Sequence, residues 1–397
     1  MARLDPFPGI RYAVGSGVLD DLVAPPYDVV SDDERVRLEA RSRHNAVHVE
    51  LPRDDGERDR YEVAAGLFGR WRDERVLEVD PPSLYVYRMR YDDEAGHRRS
   101  TIGVIGALAL SQSGGRDILP HERTTPKDKA DRLEILRATG VNLSPIWGLS
   151  ATSGLSARLG PLTRPTPDAR ATEDTGVVHE LWRVDDPAVV DDLRDRVAGG
   201  PVLIADGHHR FEVAVAHRDE AGAGAAGAGA LMAYVVELSD DQLWVQAVHR
   251  LLTGASSDEL LEAFGPYFEV LPVEEEVDVG ILSRMAEVAA LCLIGADGAW
   301  LLRPTARTEE SAEHRLDSSR LDVALAAVPA VEVRFQHGVE EVRAAVDKGE
   351  VDAAVLLRPA TVAQIAEVSR GGARMPPKTT FFYPKPRTGM VFRSLAG

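Results

Sequence analysis

The chain has 397 residues, 44% of them hydrophobic and 28% charged, with a formal net charge of −18. That is enough for two or three domains' worth of core in an ordinary globular protein, and the acidic balance disfavours non-specific binding to nucleic acid or an anionic membrane, each of which needs a basic face. No apolar run approaches about 18 residues, there is no signal peptide, and the single Cys292, in the run LCLIG, reads as a small core residue; a cytoplasmic location is expected.

Residues 1–30 are rich in Pro and Gly and end in APPYDVVS. The two prolines hold Tyr27 and Asp28 in extended geometry, which suits a simple loop and a substrate-binding Asp28 equally well. Ser31 with Glu34 three residues later predicts a capped helix start. Residues 43–51, RHNAVHVEL, read as a short strand, and 61–75 as an amphipathic helix. Residues 83–89 and 101–110 alternate as strands of a hairpin, with DDEAG between them. In ILPHERTTPK a carboxylate, Glu122, sits between His121 and Arg123. It reads either as a general base toward an alcohol, with Arg123 and Lys127 holding an anion, or as an ion-paired surface loop. A helix follows from about Lys129, then NLSP, whose Asn142 and Ser144 are turn formers or polar ligands, and an IWGLS strand.

Residues 150–175 read as a loop, with Glu50 further back in the chain assigned a structural role, as is His337. The segment PVLIADGHHRFEVAVAHRDE then predicts a buried strand over 202–205, a break at Asp206-Gly207, and a helix with two histidines and an arginine at its start. Such a start offers outward N–H groups, the positive end of the helix dipole and the planar fork of Arg210, a design for holding an anion. Gly207, His208, His209 and Arg210 are therefore candidate phosphate binders, and Asp206 can hold a metal or accept a proton. Zinc is disfavoured, since adjacent histidines point apart and no HxxxH or CxxC completes a tetrahedral set. Magnesium, which uses few protein ligands, suits Asp206 better. AGAGAAGAGA reads as a loose loop, 231–238 and 243–248 as strands, and 255–350 as alternating helices and strands. VDAAVLLRP and TVAQIAEVSRGG then give a strand and a helix before the closing MPPKTTFFYPKPRTG.

Lysine occurs only at 127, 129, 348, 378 and 385, against 41 arginines. Under such a bias a retained lysine is a position where arginine does not substitute, and four of the five fall in HERTTPKDKADR and MPPKTTFFYPKPRTG. A site role is the favoured reading for these segments. Lys378 either supplies the site or belongs to a loop packed on the core.

Taken together, PPYDVVS, HVELP, HERTTPKDKADRLEILRATGVNLSPIWGL, ADGHHRFEVA and MPPKTTFFYPK resemble domain-of-unknown-function family 1015 over nearly the whole chain. The Gln336-His337-Gly338 triplet departs from it where an acidic residue is expected after the histidine. LPHE with VLIADGHHR is also similar, more distantly, to the free serine kinases of the ParB/sulfiredoxin-like superfamily. That similarity implies an α+β (mixed α/β) fold with a nucleotide-binding core and further α/β segments. It also implies that Glu122 deprotonates the substrate hydroxyl, that Asp206 is a magnesium-linked acid and His208 a catalytic partner, and that His208, His209 and Arg210 handle phosphates. Glu122 and Asp206 stand 84 positions apart, a wider spacing than the compact kinases use, which an insertion around 150–185 accounts for.

The expected organisation is an N-terminal α/β segment (1–110), a core with the DGHHR motif (111–250) and a C-terminal α/β segment (251–397). The expected activity is phosphotransfer to a small hydroxyl substrate, foremost a serine kinase using Mg2+ with ADP or ATP, its partners being serine or phosphoserine and nucleotide, with no nucleic acid or membrane and a homodimer compatible. Phosphoserine phosphatase and a non-catalytic nucleotide-binding switch are the alternatives.

Overall fold

A computed structural model describes the chain except residues 14–18, 94–95, 111–116, 121–125, 223–224, 226, 371–374, 377 and 397, with the backbone alone for 126–128 and 369–370. The architecture is mixed α/β, as expected. It divides into two units, residues 1–243 with 384–397, and residues 244–383. The sequence suggested a segment boundary near 110. In the structure the strands Arg98–Ala109 and Ala230–Glu237 pair antiparallel from Ala230↔Ala109 to Val236↔Gly103, so residues on both sides of that point share one sheet.

The sheet of the first unit runs in the order 118–120, 202–206, 146–150, 230–237, 98–109, 77–92, 7–12, 392–394 and 141–142, with further strands attached at its side. Its central strands are near-continuous apolar runs, and Leu84, Val86, Val104, Ile146, Val202, Ile204 and Val235 bury together under Leu155, Leu193 and Val197. Burial on both faces explains why these strands read so clearly in the sequence. Leu77–Asp92 and Arg98–Ala109 form the expected hairpin. The Asp32–Arg41 helix starts as expected, with Ser31 Oγ accepting from the Glu34 amide, and the next long helix is Arg60–Asp73, capped by Asp59.

Two expectations fail locally. Residues 43–51 are not a strand, since Val47–Glu50 is a helical turn. Asn45 overrides the β-branched pattern there: its Oδ1 accepts from the Val47 amide and its Nδ2 donates to the carbonyls of Asp21 and Val23. Residues 150–175 hold the short helix Leu155–Leu159 and the strand Ala169–Thr172 rather than a plain loop.

The second unit is a six-stranded antiparallel sheet, ordered 268–273, 298–304, 291–295, 353–356, 249–253 and 332–336, beside a separate pair of strands, 244–247 and 380–383. Helices Ile281–Glu287 and Val339–Asp347 share one apolar cluster with the sheet, and Ser257–Phe264 and Asp317–Leu325 share another. Cys292 is fully buried in the first cluster, where burial pushes its thiol up to about 12.

Candidate functional site

The DGHHR segment folds as its residue types dictate. The strand Val202–Asp206 ends at Gly207, whose φ of +89° lets the chain turn into the helix His208–Ala221. Against the neighbouring strand Ile146–Ser150 the register slips between Ile204 and Asp206, a bulge that re-aims the residue at the strand end. That residue is Asp206. Its Oδ2 accepts from Arg210 Nη2 at 2.9 Å, one helical turn later, and its Oδ1 accepts from Lys385 Nζ. All three side chains are between 11% and 13% exposed. Burial alone would raise the Asp206 carboxyl, but Lys385, Arg210 and His208 outweigh it and hold the group far below the ordinary carboxylate range.

Arg210 reaches further. Its Nη1 donates to Ser144 Oγ at 2.9 Å and to the Pro145 carbonyl at 2.7 Å. Burial opposes its charge, while Asp206 and then Asp28, Tyr27 and Glu50 more than restore it. The proline-held loop thus brings Tyr27 and Asp28, on the 3-10 turn Tyr27–Val29, into the electrostatic surroundings of Arg210. Arg132 stacks its guanidinium 4.3 Å over the Tyr27 ring and donates to the Glu50 carbonyl at 2.8 Å. Ser144 Oγ lies 3.4 Å from Glu50 Oε1.

His208 is buried and His209 half-buried at the helix start. The first turn of any helix has amides without intrahelical acceptors, and two cations here meet one carboxylate at such a turn. The arrangement can neutralise and orient a phosphate. Among the described residues no group of three or more His, Cys, Asp or Glu is placed to hold a metal ion. Both oxygens of Asp206 pair with cations, whose charge opposes a divalent ion beside the same carboxylate.

The remaining candidates are placed variously. His121, Glu122 and Arg123 lie outside the described residues. Lys127 sits on the helix Pro126–Thr139, and its side chain is also outside the description. Asn142 Oδ1 accepts from the Met232 amide and from Arg393 Nη1, both at 3.0 Å, which ties its strand into the sheet. Lys378 belongs to the second unit, where its carbonyl accepts from Arg250 Nη1 at 3.1 Å. Sequence reasoning did not name Arg132 or Glu50 as site residues, and it reached Lys385 only as one of four lysines in the two segments favoured for the site. The scarcity of lysine was a signal for Lys385; nothing in the reading of 43–51 as a strand could have found Glu50.

A family model described as protein of unknown function (DUF1015) matches residues 4–324. No curated protein matches. Among solved structures, a mutant free serine kinase in complex with ADP is similar at 16% identity and a TM-score of 0.41, over 70% of this chain and 89% of that one. A conserved hypothetical protein from Pyrococcus furiosus is similar at 17% and 0.39, over 70% and 92%. SbnI with a C-terminal truncation, from Staphylococcus aureus, is similar at 12% and 0.41, over 72% and 86%. Likeness at this level says nothing of substrate. No helix among the described residues is long and apolar enough to cross a membrane.

Proposed function

The chain belongs to the family described as protein of unknown function (DUF1015), and from the site it carries we propose that it is a cytoplasmic phosphotransferase that moves a nucleotide phosphate to a small hydroxyl substrate, foremost L-serine. One observation carries the reading: Arg210 and Lys385 converge on Asp206 at the positive-φ turn that opens the helix His208–Ala221. Phosphoryl transfer asks a protein mainly to position its reactants and to neutralise charge, which two cations and a helix start supply.

In this scheme Arg210, Lys385 and the amides of the 207–210 turn hold the donor phosphates of ADP or ATP, with His208 and His209 beside them. The substrate hydroxyl oxygen attacks the terminal phosphorus, the bond to the nucleotide's bridging oxygen breaks, and the hydroxyl proton passes to a carboxylate. Glu122 is assigned that role by family resemblance, with Arg123 and Lys127 on the same segment binding substrate. Asp28 and Ser144, beside Arg210, are polar contacts for the substrate. Magnesium belongs to the proposal as a companion of the nucleotide; because Asp206 is engaged by Lys385 and Arg210, no step is routed through it.

Phosphorus NMR of the protein with magnesium, L-serine and ADP or ATP tests this. A phosphoserine signal should grow as nucleotide is consumed, and Glu122→Gln should abolish the growth while leaving nucleotide affinity intact. Full activity of that variant removes Glu122 as the base. Free phosphate released from O-phosphoserine alone would instead identify a phosphatase. The alternative reading is a switch that binds nucleotide and transfers nothing, for which nucleotide would bind and no new phosphorus signal appear.

A further inference from the structure

Glu50 is a buried titratable group that the transfer scheme leaves unused. It ends the helical turn Val47–Glu50, is 2% exposed, and its Oε2 has no hydrogen-bond partner among the described residues. Its Oε1 is 3.4 Å from the Ser144 hydroxyl and 3.8 Å from Arg132 Nη1, and the Tyr27 amide also donates to the carboxylate. The buried Nε of Arg210 also lacks a partner among the described residues, but it lies with Nη2 on the edge beside Gly207 and Asp206. Folded proteins seldom leave a buried acceptor unpaired.

Glu50 and Arg210 line one cavity of about 50 Å³, together with Arg132 and Ser144; apolar side chains such as Leu136 and Val213 complete the wall. The space is on the order of four waters' worth, enough for a group of a few heavy atoms. Charge accounting narrows what fits. Arg210 is paired with Asp206, and Arg132 with Asp131. Glu50 alone is left without a cation at hydrogen-bonding distance, while the guanidiniums of Arg132 and Arg210 stand at the same end. An ammonium beside Glu50 satisfies its orphan oxygen, and an anionic group beside that ammonium meets the positive charge of the two arginines lining the same cavity. A neutral hydroxyl supplies no cation for Glu50.

We propose that this cavity takes the amino-acid head group of the acceptor substrate, with the ammonium on Glu50 and the carboxylate toward Arg132 and Arg210. The proposal rests on the phosphotransfer reading and names the substrate class of that site. Arg210 then stands between the two halves of the reaction, its Nε/Nη2 edge on the phosphate turn beside Asp206 and Gly207 and its Nη1 beside Ser144 at the head-group cavity. Glu50 is a substrate-recognition residue here, and the hydroxyl proton goes elsewhere.

Calorimetric titration of the full chain with L-serine and with 3-hydroxypropionate, which lacks only the amine, tests it. A charge-assisted hydrogen bond should make L-serine bind roughly 10- to 100-fold tighter to the wild type. Glu50→Gln should erase most of that preference and leave ADP affinity unchanged within about twofold, which also reports that the variant is folded. Should that variant not fold, Glu50→Asp keeps the charge, withdraws it by one methylene and is expected to weaken L-serine alone. Equal binding of the two acids by the wild type overturns the proposal, as does an intact preference in the variant. Binding of neither acid also overturns it, leaving water as the partner of Glu50. Failure of the wild type to bind ADP would count against the phosphate site instead, because the amine preference is read without nucleotide.

Discussion

At Gly207 the backbone has φ +89°, and a Cβ there would stand 3.0 Å from both Arg210 Nη2 and Ile146 Cγ2. Alanine would therefore meet backbone strain and displace the arginine together. Gly207→Ala is expected to cost about 1–3 kcal/mol of stability in denaturant titrations and to weaken ADP binding as well. An alanine variant with unchanged stability and affinity would mean that the turn is not held as described. Four residues of this motif were legible as a unit because their types have little structural use side by side. Lys385 was legible only as one of five rare lysines. Glu50 was not legible, since its burial follows from Asn45 turning the chain at Val47, a local override that hydrophobic periodicity does not register.

Lys385 reaches Asp206 because the closing segment is pinned to the sheet two residues later. Arg387 donates from its backbone to the Tyr87 hydroxyl at 3.1 Å and from Nε to Glu173 Oε1 at 2.7 Å. His179, fully buried, completes the network, with Nε2 2.6 Å from Glu173 Oε1 and Nδ1 2.7 Å from the Tyr87 hydroxyl. The neutral ring satisfies both contacts with its proton on Nε2. Burial would raise the Glu173 carboxyl, but His179 and Arg387 outweigh it and hold the group at about 2, against an ordinary 4.5. A carboxyl lowered on folding stabilises the protein fully above its unfolded pKa, and that contribution disappears as pH falls from 4.5 toward 2. Glu173→Gln should therefore be less stable than wild type at pH 7, with the gap closing across that acid window in thermal melts. A gap independent of pH would place the effect in packing rather than charge.

On the scale of the whole molecule, the net charge of −18 is set against a small cationic cluster at 206–210 and Lys385, so the proposed phosphate binding rests on local geometry rather than on an extended basic face. The first unit was the more legible in sequence, because its buried strands are continuous apolar runs and its chemistry is concentrated in motifs. The alternation of 255–350 was also visible, but the order of strands was not: 353–356 inserts between 249–253 and 291–295, a long-range pairing that local pattern does not encode. In that second unit burial, with Arg250 and His337, drives His249 down to about 3, and its Nδ1 accepts from the Leu357 amide. A histidine kept neutral in the fold loses its stabilising effect as pH drops from 6.5 toward 3. Calorimetry should show the wild type weakening over that range, and His249→Asn, which keeps an acceptor for the amide, should flatten the decline; an unchanged slope would assign it to other groups. The phosphate-binding turn is the central claim, and ADP titration of the wild type beside Arg210→Ala tests it most directly. The account predicts binding by the wild type and a roughly 10- to 100-fold loss in the variant, the weight of a lost charged hydrogen bond. Equal affinities, or no binding by the wild type, would contradict it.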